Sequence, residues 1–107
     1  MTVMEFHDLV NLVWDTEDFD AMLAAAERLK AVVIEDVEMC PGRTFGDQIR
    51  HILASSAGES AERRKFTREA ADSTARFERF AREQALHHAS ERIAAHNMAE
   101  FKERQKI

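Results

Sequence analysis

The chain has a single cysteine, a single proline, three glycines and no tyrosine among its 107 residues. One cysteine, Cys40, cannot close an internal disulfide, which excludes a small disulfide-stapled secreted domain and makes a reducing compartment the default. The shortage of proline and glycine removes the residues that turn a chain every few positions, and with it most all-β architectures. Long apolar runs are missing too: none approaches the roughly 20 residues of a membrane span, and the N-terminal MTVMEFHDLV is not a basic-then-apolar leader. A cytoplasmic protein without a membrane segment is the expectation. What is abundant is alanine, glutamate, arginine and leucine, with 45% hydrophobic and 33% charged residues. That composition favours helix, and the length suits a single helical domain over residues 1–107.

Charge is unevenly placed. The net charge is −5, yet residues 1–59 carry 12 acidic against 4 basic side chains, whereas residues 60–107 carry 8 against 11. Such a chain can fold back on itself as antiparallel helices, or pair with a second copy. The overall negative charge makes nucleic acid an unlikely partner, because phosphate repulsion would have to be overcome.

Apolar spacing of three and four over Val3, Phe6, Leu9, Val10 and Val13 predicts a first amphipathic helix. Asp15 or Thr16 is placed to cap a second, with Glu17, Asp18 and Asp20 on its positive end. That helix is expected to bury Phe19, Met22, Leu23, Ala26, Leu29, Val33 and Val37, and to stop at Cys40, Pro41 and Gly42. Thr44 followed by Asp47 resembles a capping box opening a third helix, which carries Phe45, Ile49, Ile52 and Leu53 on one face. From Ser60 to Arg104 there is neither proline nor glycine. One long helix is the simplest reading, with a break near Asp72, Ser73 and Thr74 as the alternative. Its apolar stripe is expected to run through Phe66, Ala70, Phe77, Phe80 and Ala81, continuing through Leu86, Ala89, Ile93 and Phe101. Phe66, Phe80 and Phe101 lie at multiples of seven, although Ser73 and His87 interrupt that register. The fold expected is therefore all-α: an antiparallel bundle of four helices whose last member is too long for the others to cover.

Candidate chemistry centres on histidine. His87 with Glu91, and His96 with Glu100, are four apart and share helix faces. Each pair offers a nitrogen and an oxygen to a metal, or forms an ordinary surface pair. His51, between Ile49 and Ile52, is expected to be partly buried, as a hydrogen-bonded core histidine or as a ligand. Residues 41–52, PGRTFGDQIRHI, resemble the second-helix entry of DinB-like proteins, a family of metal-binding four-helix bundles. The resemblance implies His51 as the first ligand of a three-histidine site for a divalent transition metal such as zinc or nickel. It also implies thiol-dependent transferase chemistry, the metal acting as Lewis acid. The family's other ligands form a His-x-x-x-His pair on the last helix, which this sequence lacks; His87 or His88, with Glu91 or His96, would substitute.

Cys40 has no adjacent histidine and reads as a structural thiol. Ser55 and Ser56 lack a strand before them, as a nucleophile elbow requires. No phosphate-cradling glycine loop is present. Arg63, Arg64, Lys65 and Arg68 form the densest basic cluster, either a solvated helix face or a contact for an acidic partner or phosphate backbone. With no converging catalytic set, the leading expectation is a self-associating helical interaction module, a homodimer or the partner of another helical protein. Arg63, Arg64, Lys65, Arg68 and Phe101 are its candidate contact residues.

Overall fold

A computed structural model of the chain describes residues 1–106. Four helices dominate: α1 (Val3–Asp15), α2 (Phe19–Ala31), α3 (Phe45–Ala54) and α4 (Ala61–Gln105). Each begins on a side chain that accepts a hydrogen bond from a backbone N–H of the first turn. These caps are Thr2 to Glu5, Asp18 to Ala21, Thr44 to Asp47 and Ser60 to Arg63. At α3 the expected capping box is complete. The Thr44 hydroxyl accepts from the Asp47 amide at 3.1 Å and the Asp47 carboxylate accepts from the Thr44 amide at 3.0 Å. Asp18, rather than Asp15 or Thr16, caps α2; Thr16 ends α1, and its hydroxyl accepts from the Asp18 amide.

The second helix stops earlier than its apolar spacing predicts. It ends at Ala31; Val33 is exposed, and Ile34–Asp36 forms a single 3-10 turn. Val37 is buried outside any helix, ahead of a short strand β1 (Glu38–Cys40). β1 pairs antiparallel with β2 (Arg43–Thr44), so Pro41 and Gly42 turn a hairpin instead of ending a helix. Gly42 has φ 78°, a left-handed conformation that glycine adopts without Cβ strain. Three β-branched residues in a row, Val32, Val33 and Ile34, lose rotamer freedom in a helix, and the two-residue β2 is too short to reveal a partner strand by its pattern. On its other side β1 receives the N-terminal segment: the Glu38 amide donates to the Met1 carbonyl at 2.9 Å.

The core gathers Phe6, Leu9 and Val13 of α1 with Met22, Ala25, Ala26 and Leu29 of α2. Ile34, Val37 and Phe45 close it at one end. Across this layer lies α4, which contributes only alanine to the cluster: Ala75, Ala85 and Ala89. Alanine lets the α4 backbone come close to the α1–α2 hairpin. Gly46 does the same for α3, where an added Cβ would stand 3.0 Å from the Glu35 carbonyl oxygen.

The bundle is elongated. α4 runs unbroken for 45 residues, with no interruption at Asp72, Ser73 or Thr74. The molecule measures 72 × 29 × 17 Å. Its radius of gyration is 19.0 Å, against about 13 Å for a compact chain of this length. Every described residue of α4 from Asn97 onward is exposed. No helix among the described residues is long and apolar enough to cross a membrane.

Candidate functional site

The face of α4 turned to its own chain is not the one its phenylalanines mark. Its buried residues are Ala71, Ala75, Glu78, Ala85 and Ala89. With the half-buried Arg82 these recur at intervals of four and three, a helical seam made of small and polar residues. Phe66, Phe77 and Phe80 point the other way and are 71%, 68% and 57% exposed. Ala70 is exposed as well, Ala81 is half-buried, and Phe101 at the far end is 57% exposed. Of the expected stripe, Phe66, Ala70, Phe77, Phe80 and Phe101 thus face solvent, whereas Ala89 lies in the core and Leu86 and Ile93 pack half-buried against it. Volume explains the exchange: a phenylalanine would hold the helices apart where alanine lets them meet.

Polar side chains on the inner side of α4 bind the ends of the shorter helices. Arg92 donates to the Val13 carbonyl at 2.9 Å and to the Thr16 carbonyl at 2.6 Å. Arg82 donates to the Val32 carbonyl. These arginines satisfy carbonyls at the C-terminal ends of α1 and α2 and place positive charge where the helix dipole favours it. Glu78, 8% exposed, is bonded to His7 of α1 at 2.7 Å. Two histidines stack on rings of the hairpin, His88 on Trp14 at 4.1 Å and His96 on Phe19 at 3.8 Å between centroids. Apolar patterning assigns such residues to the outside, and so it misses this face. The readable signal was the recurrence of Ala71, Ala75, Ala85 and Ala89.

Arg79 forms the strongest charged cluster. It donates to Glu35 at 2.8 Å and to Asp72 at 2.6 Å, tying α4 to the 3-10 turn. The hydrogen bond from Arg79 holds the Glu35 carboxyl below its ordinary value, and the same guanidinium lowers Asp72. Both carboxylates hold protons less readily folded than unfolded, so their contribution to stability is complete above the ordinary carboxylate range. It is lost as pH falls through that range toward the lowered values. Denaturant melts at about pH 7 and about pH 3 check this. The stability gap between the parent chain and Arg79→Met is expected to narrow in acid, and a gap independent of pH would refute the assignment.

The metal-ligand candidates are dispersed. His51 is exposed on α3 rather than partly buried, because its side of the helix faces solvent between Ile49 and Ile52, which are themselves only half covered. His87 meets Glu91 at 2.9 Å and His96 meets Glu100 at 3.3 Å, the two pairs expected from the spacing. His88 and His96 are engaged on Trp14 and Phe19. Among the described residues no three or more His, Cys, Asp or Glu side chains converge as a metal site would require. The basic cluster of Arg63, Arg64, Lys65 and Arg68 is exposed on the first turns of α4, with Arg63 4.0 Å from Glu59. Cys40 is exposed and unpaired on β1.

Compared with protein-family models, curated proteins and solved structures, the chain finds no match. The similarity of residues 41–52 to DinB-like proteins rests on those residues alone.

Proposed function

We propose that this chain is a helical assembly module that self-associates through the outer face of α4. One observation carries the reading: Phe66, Phe77 and Phe80 are more than half exposed on a helix whose opposite face is already occupied by α1 and α2. Isolated surface phenylalanines need no explanation, but several aligned on one helix face mark a contact surface. Met98 and Phe101 extend the same apolar character onto the part of α4 that its own chain leaves bare. Burial of this surface supplies the driving force for association, at about 25 cal/mol per Å² of apolar area.

Light scattering coupled to size exclusion, at protein concentrations of about 10 to 100 μM, is the direct test. A dimer mass that falls toward monomer on dilution is expected. A strict monomer across the whole range would sink the reading.

A further inference from the structure

We propose that the occupant of the outer face of α4 is α4 of a second copy, running antiparallel in a left-handed coiled coil centred between Gln84 and His87. This rests on the self-association proposed above. The seam begins with Phe66, Ala70, Ser73, Phe77 and Phe80, at alternating intervals of four and three. Its middle is polar, with Gln84, His87 and Glu91 at the same intervals. It then returns to Ala94, Met98 and Phe101. Every one of these residues is exposed.

Spacing first selects the class of partner. Positions that repeat every seven residues drift by about 20° per heptad around a straight α-helix, so this seam winds through about 100° between Phe66 and Phe101. A flat surface, whether lipid or sheet, meets only part of such a stripe. A second helix wrapped with left-handed supercoil follows all of it.

Charge and volume then select a copy of the same helix and its direction. In a parallel pair in register, Glu91 faces Glu91 and the cluster of Arg63, Arg64, Lys65 and Arg68 lies beside its own duplicate. Like charges so placed repel. The antiparallel pair separates the two Glu91 side chains and moves the basic first turns of α4 away from their own duplicate. Those turns then lie beside the partner's helix C-terminus, where the negative end of the dipole, Glu100 and Glu103 stand together with Lys102, Arg104 and Lys106. Glu69 flanks the partner's Arg104, and the reverse contact repeats across the two-fold axis. Large seam residues meet small ones: Phe77 faces the partner's Ala94, Ala70 faces the partner's Phe101, and Ser73 faces the partner's Met98. At the centre Gln84 meets the partner's His87, two groups able to hydrogen bond, which is how buried polar positions define register. Phe80 covers the stem of the partner's Glu91, whose carboxylate stays bonded to His87 of its own helix, as it is at 2.9 Å in the single chain. A sequence complementary to its own reverse is what a two-fold, isologous contact requires. The pairing also covers the bare segment of α4 beyond His96.

Cysteine pairing tests direction and register in the full-length chain, with the exposed Cys40 changed to serine. Ser73→Cys/Met98→Cys is expected to run almost wholly as a covalent dimer on non-reducing electrophoresis after oxidation with diamide. Ser73→Cys alone and Met98→Cys alone are expected to stay monomeric on the same gel. Strong dimer from Ser73→Cys alone would show parallel pairing and overturn the antiparallel proposal, leaving self-association intact. No covalent dimer from the double variant, in a sample whose mass by light scattering is dimeric, would overturn the register. A monomeric mass for the Cys40→Ser parent removes the underlying reading itself, an outcome distinct from the other two.

Discussion

Phe6→Ala is expected to cost about 3–5 kcal/mol of folding stability, the usual range for truncating a fully buried phenylalanine. Phe6 is 0% exposed and sits in the cluster where α1 meets α2 and the alanine face of α4. Its removal leaves a cavity in a cluster whose other large members, Val13, Met22, Leu29, Ile34 and Val37, are already fully buried. A domain of this size has about 5–15 kcal/mol in total, so the variant stands near the edge of folding. Urea melts followed by circular dichroism measure the effect, and a loss under about 1 kcal/mol would show that Phe6 is not a core anchor.

The opposite pattern is expected at the outer face. Phe77→Glu/Phe80→Glu replaces two exposed rings, and glutamate is a good helix former. Helicity and the stability of the single chain should therefore change little. Association should suffer far more. Truncating an anchor aromatic in an interface costs at least about 2 kcal/mol, and in a two-fold pair each substitution acts twice. The dissociation constant is expected to rise by at least about a thousandfold, since each 1.4 kcal/mol is a factor of ten. Sedimentation equilibrium of parent and variant reads the change, while matched circular dichroism spectra confirm that the fold is retained. An unaltered dissociation constant would remove these two rings from the interface. Together the two variants separate phenylalanines that build the chain from those that face outward.

The contrast explains what was legible in the sequence. The start of α3 was readable because its cap is local: the Thr44–Asp47 box is in place as expected, both partners lying within one turn; at α2 the cap is Asp18 and not the expected Asp15 or Thr16. The unbroken α4 was readable from the lack of proline and glycine between Ser60 and Arg104. The hairpin at Cys40 was not, since β1 and β2 span only three and two residues and show no period. The face of α4 was misread for a physical reason. Periodicity shows which residues share a face, but not which face is inward when a helix carries two. Phe66, Phe77 and Phe80 outweigh alanine on any hydrophobicity scale, yet close helix packing selects alanine. Arg82 and Arg92 are half-buried and donate to carbonyls at the ends of α1 and α2, a role visible only when those ends are placed. Of the outer-face rings only Phe101 was legible as a contact residue; Phe66, Phe77 and Phe80 were assigned to the core stripe, and their exposure was not legible.

The inner face of α4 and the proposed outer seam also constrain how the sequence can change over evolutionary time. Adding or deleting one residue in the middle of α4 turns everything beyond it by about 100°, so both seams lose phase at once and no single compensating substitution restores them. Length variation is expected only in the connections, Thr16, Glu17 and Asp18 or the turn after α3, where no helical phase passes through. Between Ala71 and His96 the number of residues is constrained as tightly as the identity of the alanines that face the core.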